Sequence, residues 1–439
     1  MGVGEHNVYN RMNLIGVIKT KMYVLLRKSE RYTKLDMLYF ASGSFWQTFG
    51  QVTSGILSLL LVLLFANVLS KETYGLYRYV LALGGLLNIF TLTGMNQAIT
   101  QAVAAGKEGV FRTAVRYQLK WNSILMLASL ALVGYYAWNG NWPVALSLLI
   151  LSACTPLTNA LNTFGAYLAG KRQFRLDNIF GTLTTLVYVL GTAAAVMLSG
   201  QFLWLIAAYA LTTLGANALF YYLTVRKFKP PAASLSEAAG TLAYGRELTW
   251  INLIGPVVAQ LDSIILNHFW GPVELAVYSL ATAIPNRAVP FMKDWVEIGF
   301  PKAAAKTAEE LDRVLYQRIF LGLAGGTVIA LAYAGTVPLV FTYLLPKYLD
   351  AVVFAQLLGI QFIFAMPVRY LGTLLAAQRM SRTMFISNGI QAVTRIGLYI
   401  VLGIWGGILG LVIAQAIASF NALVVNLLAW KLAQRRSKM

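Results

Sequence analysis

Residues 381–439 read SRTMFISNGIQAVTRIGLYIVLGIWGGILGLVIAQAIASFNALVVNLLAWKLAQRRSKM. Between Arg395 and Lys431 there is no charged side chain, and the Gly pair at 406–407 divides the stretch into two apolar runs. Basic residues stand at both outer ends. A helix needs about 20 apolar residues to cross the hydrocarbon of a bilayer. The stretch therefore predicts a hairpin of two membrane-spanning helices whose outer ends lie on the same side.

The composition extends this interpretation to the whole chain. Of its 439 residues, 58% are hydrophobic and 12% are charged, and the mean hydropathy is +0.65. A soluble domain carries about twice that charged fraction, so the composition excludes a soluble protein. Backbone amides need partners inside a bilayer, which leaves helices or a closed barrel, and barrel alternation is absent from the sequence. We predict an all-α integral membrane protein.

Apolar runs broken by charge, Gly or Pro predict twelve transmembrane helices. Because the number is even, both termini lie on one side of the membrane. The predicted spans lie near 38–69, 74–97, 114–138, 142–168, 177–199, 202–225, 247–269, 273–298, 314–344, 350–375, 382–404 and 407–430.

The basic residues indicate the direction of these spans. Most of the 35 Lys and Arg residues fall in alternate connections, whereas the opposite connections contain only Lys71 and Lys347. By the positive-inside rule the basic connections and both termini are cytoplasmic. Topology and attraction to anionic membrane lipids explain the formal net charge of +19, and we expect no nucleic-acid partner.

The chain is also predicted to divide into two similar halves. KFKPPAASLSEAAG at 227–240 has the Pro pair and small residues of a linker. LSKETYGLYRYVLA at 69–82 and WGPVELAVYSLATA at 270–283 share a skeleton at an offset of 201 residues, which indicates a parallel repeat. We predict two six-helix lobes related by a pseudo-two-fold axis along the membrane normal, around a central cavity. The predicted units are an amphipathic interfacial helix at 1–36, an N-lobe at 37–226, a cytoplasmic linker at 227–241, a C-lobe at 242–431 and a basic cytoplasmic tail at 432–439.

Two segments resemble a known family. LSKETYGLYRYVLALGGLLNIFTLTGMNQAITQAVAAGKEG at 69–109 resembles the second-span region of bacterial polysaccharide exporters, and LAYGRELTWINLIGPVVAQLDSIILNHFWG at 242–271 resembles their seventh span, with Asp262 in a QxDxxIL pattern. These exporters are lipid-linked oligosaccharide flippases of the multidrug/oligosaccharidyl-lipid/polysaccharide (MOP) transporter superfamily.

This resemblance implies a flippase of the bacterial cytoplasmic (inner) membrane that moves an undecaprenyl-diphosphate-linked oligosaccharide outward by alternating access. Spans one, two, seven and eight would face the central cavity. The expected partners are the lipid-linked oligosaccharide, membrane lipids, and a polysaccharide polymerase or glycosyltransferases. We expect the protein to be a monomer.

Charged side chains deep in the predicted spans are candidate binding residues. A charge in the bilayer costs at least about 2.5–3.5 kcal/mol, so it normally faces a wet cavity or a partner. At 1.5 Å per residue, Arg287 lies about 21 Å and Arg395 about 20 Å along its predicted span. We predict that Arg287, Arg395 and Arg78 bind diphosphate, because guanidinium groups match its oxygens. Arg78, Lys293 and Arg369 lie nearer span ends, where snorkelling is the alternative explanation.

Asp262 is the carboxylate, among sixteen Asp and Glu residues, that falls well inside a predicted span. One interpretation is a coupling role, in which Asp262 binds H⁺ or Na⁺. The other is structural: Pro285 and Pro290 kink the span around Arg287, and Arg287 pairs with Asp262. No other cofactor is predicted. The chain has two His residues and one Cys, so we predict no metal site.

Neutral polar side chains at helical spacing are candidate sugar contacts. Gln47 and Gln51 share a face of span one, with Gln51 the preferred glycan contact, and Asn388 and Gln391 share a face of span eleven with Arg395. Hydrogen bonding between helices is the alternative explanation for a similar stripe on span four. That stripe consists of Ser152, Thr155, Asn159 and Asn162.

Three other functions compete with glycan transport. A MATE-like multidrug or cation antiporter would need an acidic site, and the predicted N-lobe has no deep Asp or Glu. A membrane glycosyltransferase or polysaccharide polymerase would need catalytic residues in a sizeable external loop, and the predicted external connections are short. A structural scaffold would not explain the deep arginines. We therefore predict a transporter and not an enzyme.

Overall fold

The computed structural model describes residues 37–231, 233–297, 307–378 and 380–437, and within them every regular element is helical. The all-α prediction is confirmed for this part of the chain. The predicted amphipathic helix at 1–36 lies outside the described residues.

The described residues of the first half of the chain form eight α-helices. Ser70 caps the second of them by accepting a hydrogen bond of 3.1 Å from the backbone N–H of Thr73, which satisfies one of the free amides at a helix start. The helices are α1 Met37–Val68, α2 Lys71–Leu87, α3 Met95–Ala104, α4 Val110–Trp138, α5 Trp142–Leu161, α6 Phe164–Gly170, α7 Phe174–Leu198 and α8 Phe202–Phe228.

Eight further α-helices lie within the part of the second half that the structure describes. The first begins inside the segment 227–241 predicted as a linker, because Ser234 and Glu237 form a capping box there. The helices are α9 Leu235–Ile251, α10 Ile254–Trp270, α11 Pro272–Ala281, α12 Pro285–Glu297, α13 Ala308–Leu344, α14 Val352–Leu358, α15 Ile360–Ala377 and α16 Ser381–Ser437.

Several of these helices can cross a membrane. Among the described residues seven are long and apolar enough to do so, and the number rises to nine when two bent pairs each count as one span. The first pair, α2 with α3, bends by 57°, and the second, α9 with α10, by 40°. Irregular backbone at membrane depth is tolerated where it lines a cavity or packs within protein. The chain is a multi-pass membrane protein, and each bent pair among its described residues is a broken span or a re-entrant loop.

The helix α16 is a hairpin. Its backbone turns at Gly407, where φ is +55°, a conformation that favours glycine. The two arms, residues 381–406 and 408–437, then pack closely: a Cβ on Gly410 would lie 1.8 Å from the carbonyl oxygen of Leu402. Further along, Gln391 Nε2 donates to Asn426 Oδ1 at 2.9 Å. The helical hairpin predicted from this stretch is confirmed for residues 381–437.

The two halves of the chain meet along α2, which packs against α10 and α11. The approach is close at Gly75, where a Cβ would lie 1.8 Å from the carbonyl oxygen of Pro272. At one end of this contact Lys71 pairs with Asp350 at 2.6 Å, and Lys347 donates to the carbonyl oxygen of Asn67. Thus both cations of the predicted external connections hold the halves together at that end.

At the other end of the contact, α9 packs against α3 and α4 of the first half. The backbone N–H of Gly94 donates to Thr249 Oγ1 at 3.0 Å, and that of Ala233 donates to the carbonyl oxygen of Gly109 at 3.2 Å. The chain therefore enters its second half while still packed on its first, and α10 continues from there into the centre of the molecule.

Candidate functional site

Two cavities lie on opposite sides of α10. Val258 and Ala259 line a cavity within the second half of the chain, whereas Pro256 and Gln260 line a cavity between α10 and the helices of the first half. Neighbouring residues of one helix, Ala259 and Gln260, thus face different cavities. The helix α10 is the wall between them.

The cavity in the second half, which we call the cationic cavity, has a volume of about 410 Å³. It lies between α10, α12, α15 and both arms of α16. Lys293 and Arg395 carry charge in its lining, and among the described residues no carboxylate lines it. The positive charges of Arg369 and Arg395 act on Lys293. The other polar side chains of the lining are Gln361, Gln391, Gln415 and Ser419.

Arg395 is held from one side by Tyr399. Its Nε donates to the Tyr399 hydroxyl at 2.8 Å, and the guanidinium carbon lies 5.1 Å from the centre of the Tyr399 ring. This contact orients the guanidinium group and uses its Nε. The two terminal amino groups, which make no other hydrogen bond to the described residues, can donate bidentately to an anion in the cavity.

Asp262 belongs to a hydrogen-bond network beside the cationic cavity. The Tyr278 hydroxyl donates to Asp262 Oδ2 at 2.7 Å and accepts from Gln415 Nε2. The Gln415 oxygen accepts from Gln361 Nε2 at 2.6 Å. Through this chain the carboxylate is connected to two amides of the lining, so a change in the charge of Asp262 would alter the hydrogen bonding of the cavity wall.

The suggested pair between Arg287 and Asp262 is not formed. Among the described residues no Lys or Arg nitrogen lies within 4.0 Å of the Asp262 carboxylate, although its charge acts on Arg395. Arg287 Nη1 instead donates to the carbonyl oxygen of Ala283, one turn earlier, at 3.0 Å. A carbonyl near the proline-flanked segment is thereby satisfied.

Arg78 and Arg287 lie near the contact between the two halves. Arg78 Nε donates to Ser279 Oγ at 3.3 Å, and these two residues are 201 positions apart, the offset of the repeated segments. The charges of both arginines act on Tyr74. Neither residue lines the cationic cavity, so the structure separates the three predicted arginines into Arg395 on one hand and Arg78 with Arg287 on the other.

The predicted amide contacts are divided as well. Gln391 lines the cationic cavity, whereas Asn388 is exposed. Gln47 and Gln51 are exposed on α1 and line neither of the cavities on α10. Lys293, for which snorkelling was the alternative explanation to binding, lines the cationic cavity.

The cavity in the first half, which we call the amide cavity, consists of two adjoining spaces of about 350 and 280 Å³ that share lining residues. Asn159 Nδ2 donates to Asn88 Oδ1 at 2.9 Å across it. Among the described residues no charged side chain lines either space. The amides of the lining are Asn88, Asn96, Gln118, Asn122, Asn159, Asn162 and Gln260.

Sequence reasoning found part of this amide cavity. The stripe on span four included Asn159 and Asn162, which line the cavity. Gln118, Asn122 and Asn88 were missed. Their signal was available as amides in otherwise apolar runs, but the sequence does not show that they line one space.

Comparison with known proteins identifies the family to which this chain belongs. Residues 40–290, more than half of the chain, match the family described as "Polysaccharide biosynthesis protein". The chain belongs to that family. A protein of Shigella flexneri named "Putative O-antigen transporter" is 22% identical to this family member over 255 residues, which are 54% of this chain and 60% of that protein. The match therefore spans about three-fifths of the relative's length.

Solved structures show the fold of this family member. A structure of the lipid II flippase MurJ in an inward closed conformation has a TM-score of 0.60 at 13% identity, covering 89% of this chain and 87% of that one. An inward-facing MATE multidrug resistance transporter has a TM-score of 0.60 at 16% identity, covering 91% and 96%. The chain has the fold of MOP-superfamily transporters.

Proposed function

We propose that this protein is a flippase that moves an undecaprenyl-diphosphate-linked oligosaccharide across the bacterial cytoplasmic membrane for surface polysaccharide synthesis. The observation that carries the proposal is the cationic cavity. Arg395, which lies deep in its predicted span, and Lys293 line a space of about 410 Å³, without a carboxylate in the described lining. Two cations so placed are costly in a bilayer unless they serve an anionic ligand, and a diphosphate supplies both charge and acceptor oxygens.

In this proposal each predicted residue has a role. Arg395 donates to the diphosphate through its free amino groups, Lys293 adds a point charge, and Gln391 donates an amide hydrogen bond. Arg78 and Arg287, at the contact between the halves, receive the diphosphate as the halves separate. Exposed polar groups then contact the glycan on its path; these are Gln47, Gln51 and Asn388.

We propose a twelve-span arrangement in two lobes, with both termini cytoplasmic. The helix order supports it when α2–α3, α5–α6, α9–α10, α11–α12 and α14–α15 each count as one crossing and α16 as two. The hydrogen bond between Arg78 and Ser279, at the repeat offset of 201, is expected where a pseudo-two-fold axis brings equivalent positions together. Alternating access would be rocking of the lobes about the α2, α10 and α11 contact.

Coupling to H⁺ or Na⁺ through Asp262 is part of the same proposal. The carboxylate is linked to the wall of the cationic cavity through Tyr278, Gln415 and Gln361. A cation bound at Asp262 would therefore change the hydrogen bonds of the cargo site and its affinity for the cargo. The transporter would act as a monomer beside a polysaccharide polymerase or glycosyltransferases.

A MATE-like antiporter is the competing function, because a MATE structure matches the fold as well as a flippase does. Export of organic cations calls for carboxylates at the binding site, and the described linings of both cavities contain none. Electrostatics therefore favour an anionic cargo.

Deletion of the gene tests the two functions against each other. A deletion strain should lose surface polysaccharide and accumulate its lipid-linked precursor, and a plasmid copy should restore the polymer. Unchanged polysaccharide together with increased sensitivity to cationic drugs would contradict the proposal and support the antiporter.

A further inference from the structure

An apolar groove of about 340 Å³ lies on the surface of the molecule where its two halves meet. The first half contributes α4 and the segment that joins α2 to α3, and the second half contributes α9 and the break before α10. Arg246 is the only charged side chain in the described lining. The large apolar side chains of the lining include Phe90, Trp121, Ile124, Trp250 and Leu253. Phe90, Ile124 and Trp250 are exposed, so the groove is open to the surrounding lipid.

The floor of the groove is closely packed. The backbone N–H of Gly94 donates to Thr249 Oγ1 at 3.0 Å, and Thr249 Oγ1 donates to the carbonyl oxygen of Gly245 at 2.7 Å. A Cβ on Gly94 would lie 2.6 Å from the backbone nitrogen of Thr249. Thr91 and Leu92, which also line the groove, are buried. The groove is therefore a formed surface with a fixed floor.

One end of the groove lies at the depth of the lipid headgroups. The helices α4 and α9 pack side by side from a shared point, where the backbone N–H of Ala233 donates to the carbonyl oxygen of Gly109. At 1.5 Å per residue, Lys120 lies about 17 Å beyond Gly109 and Arg246 about 20 Å beyond Ala233. No charged residue follows Lys120 in α4 or Glu247 in α9. The last charges of both helices thus mark the edge of the hydrocarbon, where Trp and basic side chains are enriched.

The length of the groove matches a single leaflet. Arg246 and Leu253, at its two ends along the chain, are about 10 Å apart at the helical rise. The hydrocarbon of one leaflet is about 15 Å deep, half of the bilayer core. An acyl chain of a phospholipid in that leaflet would therefore lie along the groove for most of its length. The much longer polyprenyl chain of a lipid carrier would extend well beyond it.

The charges at the headgroup end favour an anionic lipid. Arg246 is exposed and has no hydrogen-bond or ion-pair partner among the described residues, and a guanidinium group matches the oxygens of a phosphate. Lys120 directly precedes Trp121 of the lining, Arg116 lies one turn earlier, and both are exposed. With Arg246 these cations outnumber the single carboxylate of Glu247, and surplus basic residues at a membrane surface attract anionic lipids.

We propose that an anionic phospholipid binds in this groove, with its phosphate on Arg246 and one acyl chain between α4 and α9. The lipid comes from the leaflet beside the basic connections, which is the cytoplasmic leaflet in the proposed orientation. Because the two sides of the groove belong to different halves of the chain, the bound lipid bridges the halves. This site is separate from the cationic cavity, with which it shares no lining residue, and it does not depend on the identity of the cargo.

The test uses the purified full-length protein in phosphatidylcholine nanodiscs that contain a small fraction of phosphatidylglycerol with a photoreactive group in its acyl chain. Irradiation should label one peptide from each half, at residues 121–124 and at residues 250–253. Excess unlabelled phosphatidylglycerol should reduce this labelling at least about fivefold by mass action. The same excess of phosphatidylcholine should leave the labelling unchanged.

Removing the cation tests the headgroup contact. In Arg246→Gln the labelling of both peptides should fall about tenfold, the loss expected for one hydrogen bond to a charged group. Arg318→Gln is the matched control. Arg318 is also exposed and also lacks a hydrogen-bond or ion-pair partner among the described residues, but it lies on α13 and does not line the groove. This variant should be labelled like the wild type.

Filling the groove tests the acyl-chain contact while Arg246 stays in place. In Ile124→Trp the indole occupies the space of the chain, so the labelling at residues 250–253 should fall at least about fivefold. Leu127→Trp is the matched control, because Leu127 is exposed on the same helix, three residues further along, and does not line the groove. It should keep the wild-type labelling.

The wild-type competition does not depend on any variant, so a variant that fails to fold leaves the proposal testable. Equal competition by phosphatidylcholine, labelling of only one half, or equal losses in Arg246→Gln and Arg318→Gln overturns the site. Labelling that survives in Ile124→Trp overturns it as well. If undecaprenyl diphosphate displaces the probe at lower concentration than phosphatidylglycerol does, the groove is a cargo site and the phospholipid proposal is wrong.

Discussion

The two cavities beside α10 are similar in size and opposite in chemistry. The cationic cavity contains Arg395 and Lys293 and is the larger, at about 410 Å³, whereas the amide cavity presents uncharged amides in spaces of about 350 and 280 Å³. A charged cavity attracts a diphosphate at long range but discriminates little by its shape. Fixed amides form hydrogen bonds only with groups at the right distance and angle, so they discriminate between ligands by geometry. Under the proposed function, this difference assigns the diphosphate to the cavity that carries Arg395 and Lys293.

Reversing the charge of Arg395 should have the largest effect. In Arg395→Glu the cavity keeps Lys293 alone and gains a carboxylate that repels the diphosphate, so export should fall by at least about a hundredfold, on the order of a lost buried charge contact. Complementation of the deletion strain measures this. Arg395→Lys, which keeps the charge but loses the bidentate geometry, should retain partial export. Full complementation by Arg395→Glu would refute the cationic site.

A pair of substitutions one residue apart should sharpen the contrast between the cavities. Ala259→Glu places a carboxylate on the cationic side of α10 and Gln260→Glu places the same group on the amide side. Affinity for undecaprenyl diphosphate should fall about 10- to 100-fold in Ala259→Glu and less than about threefold in Gln260→Glu. The carboxylate at position 259 would repel the diphosphate and pair with the cations of the cavity, and both interactions are strong only at short range in a partly dry site.

Ala259→Gln serves as the neutral control for this pair and should bind undecaprenyl diphosphate like the wild type. Equal losses in Ala259→Glu and Gln260→Glu would show that the two cavities are not electrically distinct, and the assignment of the diphosphate to the cationic cavity would have to be abandoned.

Neutralising Asp262 should have an intermediate effect. Asp262→Asn preserves an acceptor for the Tyr278 hydroxyl, so the fold is retained, but the variant cannot change charge. Transport in proteoliposomes should slow about tenfold, on the order of one lost coupling interaction, and should no longer respond to pH or Na⁺. A variant whose response to both gradients matches the wild type would remove Asp262 from coupling.

The smallest effects are expected at residues outside both cavities. Gln51→Ala and Asn388→Ala remove exposed amides, and a hydrogen bond in a wet setting is worth only about 0.5–1.5 kcal/mol. Export should fall about two- to fivefold in each variant. A loss as large as that of Arg395→Glu would show that the main cargo contact lies on α1 or on the exposed face of α16 and not in the cavities.

The sequence predicted the helical class and the α16 hairpin because both follow from apolar length, charge and a Gly pair. It also selected Arg395 and Gln391 by depth and helical face. It left binding and snorkelling both open for Lys293, because depth along a straight span does not reveal the space that α10, α15 and α16 leave beside it. Gln118 and Asn122 were missed for a similar reason. The sequence does not show the cavity that they line, which lies beside the breaks between α2 and α3 and before α10.

The position of the diphosphate tests the central claim most directly. A photoreactive residue can replace Ala418, in the lining of the cationic cavity, or Thr155, in the lining of the amide cavity, and the proteins can be irradiated with phosphorus-labelled undecaprenyl diphosphate. We predict labelling at position 418 that excess unlabelled pyrophosphate suppresses, and background labelling at position 155. Labelling confined to position 155 would contradict the account.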